Sequence, residues 1–294
     1  MKHNGRYLTM QNTTYKEARR LRIKRMVFWF KNSLPGIISV LGVIVIWELS
    51  VRIFDIKEYI LPSPSASVMA IITYWNAIRS NLLTTLYEIG LGFGVTVLIS
   101  IPIATMISYS KIFQKTLYPF MVFVQLIPKV AIAPLFVIWF GFGVMPKILM
   151  VFLLSFFPLL MDAVAGLQSL NPRLYSMART MNDSEWKFYW KIKLPNALPH
   201  IFSGLKTSIS MATVGAVVAE FLGADSGLGY LLLRANGDIN TKLLFAILVV
   251  LCLMGMVFFM IMGFIEKKVI PWHVSQRKNL KDDGTKKSDF RATA

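Results

Sequence analysis

Four ionisable side chains stand inside or at the edge of long apolar stretches: Glu88, Lys129, Asp162 and Glu220. A charge in hydrocarbon is costly, so such residues face protein or water and mark a polar path or a subunit contact. Lys129 has two readings: a cation lining a path, or a structural partner of an acid or of the headgroup region. Glu220 lies beside a Gly-rich turn, Ser226-Gly227-Leu228-Gly229, where a structural hydrogen bond competes with contact to a solute. Glu48 and Arg52, four residues apart, can pair on one helix face. Gln125, Trp139 and Phe142 offer hydrogen bonding and stacking suited to a flat heteroaromatic solute, whereas a cationic lining favours an anion.

Catalytic chemistry is poorly supplied. His3, His200 and His273 fall in terminal or loop positions with no metal-ligand spacing, so no metal centre is expected. His200 reads as an interface residue. No glycine-rich loop ending in Lys-Ser/Thr is present, so this chain is not expected to bind or hydrolyse ATP, and an enzyme reading finds no catalytic set. The single cysteine, Cys252, can form no internal disulfide.

The elements that must hold these residues are membrane spans. Of 294 residues, 55% are hydrophobic and 16% charged, against about 25% charged in soluble domains. Mean hydropathy is +0.56. Six apolar segments of about 20 residues can be marked. They are Leu34–Phe54, Leu86–Ser108, Phe120–Phe140, Pro146–Leu167, Ile201–Leu222 and Leu243–Ile265. The third contains Pro128 and Pro134 and is expected to be bent, which a span tolerates when neighbours satisfy the freed carbonyls. Some 33 mostly polar residues precede the first span without a small-residue cleavage site, which reads as a permanent helix rather than a signal peptide.

The net charge of +17 would suggest nucleic acid in a soluble chain, but the basic residues cluster beside apolar segments. Residues 1–33, 109–119, 168–200 and 266–294 hold twenty-four Lys and Arg, and the alternate segments hold four: Lys57, Arg79, Arg234 and Lys242. This bias places both termini in the cytoplasm and requires an even number of spans. The expected organisation is a basic cytoplasmic segment over 1–33, a six-helix membrane domain over 34–265, and a cytoplasmic tail over 266–294 whose polar end reads as disordered. Pro62 and Pro64 announce a further helix from about Ser65, with Val68, Ile71, Ile72 and Trp75 at amphipathic spacing along the outer surface.

The most informative loop is 168–200. Asn171-Pro172 starts one helix running to about Met181. Asn182, with Glu185 three residues on, can cap a second from Asp183 to about Lys191, before Pro195 and Pro199 break the chain. Trp186, Phe188, Tyr189 and Trp190 are then exposed on the cytoplasmic side, either as an interfacial aromatic belt or as a docking knob for a partner.

This loop resembles the "EAA" loop of permease subunits from ATP-binding-cassette importers. Its Glu-Ala-Ala positions fall at Ser176, Met177 and Ala178, its Gly at Asn182, and its closing Leu-Pro and second Pro at Leu194, Pro195 and Pro199, followed by Ile201 and Gly204-Leu205-Lys206. The opening departs twice from the acidic-alanine form, and Asn replaces Gly. Ile127-Pro128, Ala133-Pro134-Leu135, Trp139-Phe140-Gly141-Phe142-Gly143, Phe157-Pro158, Ala219-Glu220-Phe221 and Ser226-Gly227-Leu228-Gly229-Tyr230 resemble the branch importing nitrate, taurine and other sulfonates, and vitamin precursors.

The resemblance implies an all-α, six-helix permease of the MetI-like fold, working as a homodimer with its translocation path at the interface. It implies a pair of cytoplasmic ATPase subunits, which use the ATP and Mg, and an extracytoplasmic solute-binding protein. It assigns ATPase coupling to Ala178, Asn182, Asp183, Glu185, Trp186, Tyr189, Trp190, Leu194, Pro195 and Pro199. The stretch Pro128-Lys129-Val130-Ala131-Ile132-Ala133-Pro134-Leu135 looks closer to permeases for thiamine pyrimidine precursors or riboflavin than to sulfonate ones. The alternatives are sulfonate, taurine or nitrate import, and a channel or secondary transporter whose transport would continue without ATP.

Overall fold

The computed structural model of the chain describes residues 35, 36, 38–170 and 184–271. The basic N-terminal segment, the tail after Pro271, and Ala178, Asn182 and Asp183 lie outside the described residues, as does the expected helix from Pro172 to Met181. The chain divides into two compact units, Met1–Met69 and Ala70–Ala294.

In the first unit, helix α1 (38–53) carries Glu48 and Arg52, and their side chains pair at 2.6 Å as the four-residue spacing predicts. Glu48 also accepts from the Ser65 backbone N–H at 3.1 Å and its hydroxyl at 2.9 Å. Helix α2 (Pro64–Thr73) opens on Pro64, whose missing N–H costs nothing in a first turn.

The second unit, among the described residues, is entirely helical beyond α2: α3 (Trp75–Tyr109), α4 (Lys111–Gln125), a 3-10 turn at Lys129–Ile132, α5 (Ala133–Phe140), α6 (Val144–Gln168), α7 (Glu185–Phe188), a π-helical turn at Tyr189–Lys193, α8 (Leu194–Glu220), α9 (Leu228–Gly237) and α10 (Thr241–Val269). Among the described residues four helices are long and apolar enough to cross a membrane: α3, α6, α10, and the continuous run Trp186–Glu220 formed by α7, the π turn and α8. The segment from Ile112 to Phe140 makes a fifth if it is one span, but it turns by 83° between Gln125 and Lys129. The bend expected in this segment is thus a break, at Leu126-Ile127-Pro128.

Three boundaries depart from the sequence expectation. Helix α3 begins eleven residues before Leu86, because Asn76, Arg79, Ser80 and Asn81 are polar without breaking a helix. The chain does not break at Pro195 and Pro199: Pro195 falls in the first turn of α8, and Pro199 lies inside it. A proline ring clashes with the carbonyl four residues earlier. The wider π turn, closed by the Leu194 N–H on the Tyr189 carbonyl, inserts one residue ahead of Pro195 and accommodates it. Helix α9 occupies a stretch expected as loop, with Leu228, Leu231 and Ala235 buried on one face.

Helix α6 is the centre of the unit, packed along α8 and α3. Its backbone comes close to both: a Cβ on Gly215 of α8 would stand 2.9 Å from Val151 Cα, and one on Gly92 of α3 would stand 2.5 Å from Val151 Cβ. Small residues that let helices approach drive association where no hydrophobic force distinguishes protein from lipid. Hydroxyls tie the same seam. Thr96 and Ser155 lie 2.6 Å apart, and the Ser208 hydroxyl donates to the Ser155 carbonyl at 2.6 Å. Gly215→Val is therefore expected to destabilise the subunit by about 1–3 kcal/mol, since the backbone it meets cannot yield. Gly90→Ala, with nothing within 4 Å, should be near-silent. Thermal unfolding in detergent compares the two, and equal midpoints would refute this packing.

Candidate functional site: a buried polar cluster, a broken helix and an aromatic knob

At the Trp75 end of α3, five elements meet around two buried carboxyls. Glu88 is 0% exposed and Glu220 1%. The Lys147 ammonium, at the start of α6, pairs with Glu88 at 2.7 Å and reaches the Ser226 carbonyl at 3.4 Å. Glu220 accepts from the Thr85 hydroxyl at 2.6 Å and from the Gly229 backbone N–H. Thr85 Oγ1 accepts the Leu228 N–H at 2.8 Å, and Asn81 Oδ1 accepts the Gly227 N–H at 2.8 Å.

These bonds explain the string Ser226-Gly227-Leu228-Gly229. The first N–H groups of a helix have no partner in their own helix, and the peptide dipole favours an anion beside them. Glu220, from the end of α8, thus caps α9. Gly227 has φ of +117°, and a Cβ there would meet Glu220 Oε1, while one on Gly229 would stand 2.8 Å from Oε2. Only glycine admits the carboxylate this closely. Glu88 and Glu220 therefore sit within the subunit as fasteners of the α8–α9 turn. Lys147, Thr85 and Asn81 escaped the sequence reading, although a lysine at the edge of an apolar span opposite Glu88 is a readable signal.

Midway along α6 the structure brings Lys129 to Phe157. The Lys129 ammonium stands 5.0 Å from the Phe157 ring centroid and donates to the Gln125 carbonyl at 3.0 Å. Trp139 is 63% exposed and Phe142 77% exposed on the far side of the break. Asp162 lies further along α6, its Cβ close against Gly204 of α8.

At the Tyr109 end of α3 lies the aromatic segment. Helix α7 (Glu185–Phe188) is followed directly by the π turn, and the Ser184 carbonyl accepts from the Phe188 N–H at 3.0 Å. Trp186 and Trp190 are exposed, with rings edge-to-face at 5.6 Å. The expected exposure of Phe188 and Tyr189 is corrected: they are 7% and 9% exposed. Residues on opposite faces of a short helix cannot all project outward, and the face bearing Tyr189 turns to α3. The Tyr189 hydroxyl lies 3.0 Å from Thr105 Oγ1, and its ring lies 5.9 Å from that of Tyr109. Lys193 donates to the Ser108 carbonyl at 3.1 Å and stands 3.9 Å over the Tyr109 ring. Leu194 packs partly buried in the same cluster, and Pro195 and Pro199 lie in α8. A rigid two-tryptophan knob is thereby rooted in a membrane helix.

Among the described residues no group of His, Cys, Asp or Glu is arranged to hold a metal ion. Residues 96–271 match the family described as the binding-protein-dependent transport system inner membrane component. The chain is 32% identical over 237 residues to the formylaminopyrimidine transport permease protein of Halalkalibacterium halodurans, covering 80% of this chain and 94% of the relative. It is 31% identical over 261 residues to the riboflavin transport system permease protein of Chloroflexus aurantiacus, covering 87% and 96%. It is 27% identical over 272 residues to the putative aliphatic sulfonates transport permease protein of Bacillus subtilis, covering 91% and 96%. With a multi-pass helical body, a broken helix at mid-span and a family match over most of that body, the chain belongs to the binding-protein-dependent transport system inner membrane components, the permease subunits that form the translocation path of such importers.

Proposed function

We propose that this permease imports a heteroaromatic vitamin precursor, a thiamine pyrimidine precursor or riboflavin, driven by ATP hydrolysis in a separate subunit. The observation that carries the solute class is that two relatives above 30% identity have names that give formylaminopyrimidine and riboflavin. The exposed Trp139 and Phe142, which can stack on a flat ring, agree with it. A second reading, aliphatic sulfonate or taurine import, is favoured by the relative at 27% identity over 91% of the chain and by the cation at Lys129.

In this reading α1 and the bent segment from Ile112 to Phe140 join the four long helices as six spans, with both termini cytoplasmic. Two copies of the chain form the path, two ATPase subunits dock beneath, and a solute-binding protein docks outside. Coupling falls to Ala178, Asn182, Asp183, Glu185, Trp186, Tyr189, Trp190, Leu194, Pro195 and Pro199. Gln125, Lys129, Trp139 and Asp162 border the path, while Glu88 and Glu220 hold its frame.

The decisive experiment is uptake by cells lacking this gene, with labelled formylaminopyrimidine, riboflavin and an alkanesulfonate. Loss of pyrimidine or riboflavin uptake alone is the expected result. Loss of sulfonate uptake alone would replace the first reading by the second.

A further inference from the structure

The break between α4 and α5 lies deep in the membrane-spanning body. Phe157, against which Lys129 rests, is the fourteenth residue of the 25-residue α6. At about 1.5 Å per residue it stands roughly 20 Å from one end and about 17 Å from the other, near the middle of a bilayer. Non-helical backbone and a lysine at that depth are both costly unless they border a polar cavity or protein.

Two other lysines on long helices pair with acids. Lys147 pairs with Glu88, and Lys206 pairs with Glu266. Among the described residues no carboxylate lies within ion-pair distance of Lys129. Its ammonium, half-buried, makes one hydrogen bond, to the Gln125 carbonyl, and presents its positive charge to the Phe157 face. An ammonium has three donors. The unused ones are held at the bend, beside the exposed Gln125.

We propose that this break is the solute-contacting element of the path, with the Lys129 ammonium donating to an acceptor atom of the solute above the Phe157 ring. The acceptor is a carbonyl oxygen or ring nitrogen in a heteroaromatic solute, and a sulfonate oxygen in an anionic one. The shared chemistry is an electron-rich acceptor met by a cation on an aromatic floor. The proposal rests on the permease reading above and names the atom within it that touches cargo.

The test uses cells carrying the intact importer with Cys252→Ser, which removes the one native thiol. Lys129→Cys is introduced, and uptake of labelled formylaminopyrimidine, riboflavin and an alkanesulfonate is measured beside a strain lacking the gene. The probe lost in that strain is the cargo, and it distinguishes the two acceptor chemistries. Lys129→Cys is expected to lower cargo uptake at least tenfold. Aminoethyl methanethiosulfonate, which restores an ammonium at that position, should recover most of it, whereas the uncharged methyl reagent should not. Chain level in the membrane is read by immunoblot.

Uptake by Lys129→Cys within twofold of wild type, equal recovery by both reagents, recovery by neither, or failure of the variant chain to accumulate would each overturn the proposal. If no probe depends on the gene, the reading under Proposed function falls and takes this inference with it. If one does but ignores Lys129, only this inference falls.

Discussion

Lys147→Met is expected to destabilise the subunit by about 3–5 kcal/mol, the largest effect among the single substitutions considered. Removing one partner of a buried pair leaves the other as an uncompensated charge in a low-dielectric interior. Glu88 is fully buried and has Lys147 as its ion-pair partner. The double variant Lys147→Met with Glu88→Met replaces both charges by groups of similar volume and should recover most of the loss, because a buried pair is worth little net against a well-packed apolar substitute. Glu220→Leu should fall between them. It releases the Gly229 N–H, a buried donor worth about 1–3 kcal/mol when unsatisfied, while the Thr85 hydroxyl keeps the Asn81 carbonyl at 3.2 Å as an acceptor. Thermal unfolding in detergent ranks the three. A single Lys147→Met variant that melts with wild type would refute the cluster as a fastener.

Trp186→Ala is expected to weaken co-purification of the ATPase about 30-fold while leaving the melting temperature of the chain unchanged. At 70% exposure the indole contributes little to the fold of one subunit. Truncating an aromatic anchor at an interface costs about 2 kcal/mol or more. Tyr189→Phe should do the opposite. It removes only the hydroxyl facing Thr105, lowering stability by about 1 kcal/mol, and leaves the docking face intact. If the knob moves α3 through that bond, ATP hydrolysed per solute imported should rise in Tyr189→Phe although ATPase binding does not change. Reconstituted vesicles report both quantities. Wild-type ATPase binding in Trp186→Ala would remove this segment from the docking surface.

The two ends of α3 explain why one helix runs 35 residues. Thr85 and Glu88 tie its Trp75 end to the α8–α9 turn and to α6, while Thr105, Ser108 and Tyr109 tie its other end to the π turn. A displacement of the tryptophan knob therefore bears on α3 and α8 together.

Much of the architecture follows from local rules. The α6 and α10 spans stand close to where their apolar runs predicted them, because hydropathy over 20 neighbouring residues needs no knowledge of partners. The Glu48–Arg52 pair and the Pro64 helix start are equally local, set by four-residue spacing and by a missing N–H. The bend near Pro128 was legible as a bend because proline is its cause.

Non-local packing decided the rest. Whether Pro195 breaks the chain depends on whether a π turn can precede it, and that turn is secured by Tyr189 and Lys193 reaching α3, more than eighty residues away in the chain. Four adjacent aromatics read alike in the sequence, and only the face presented to α3 separates buried Phe188 and Tyr189 from exposed Trp186 and Trp190. Lys147 and Glu88 are 59 residues apart, and Thr85 and Glu220 are 135 apart. Composition alone determined that this protein lives in a membrane. Which of its charges are paired inside the subunit and which stands without a carboxylate partner was decided by helices closing on one another, since the cost of a buried charge depends on what stands beside it.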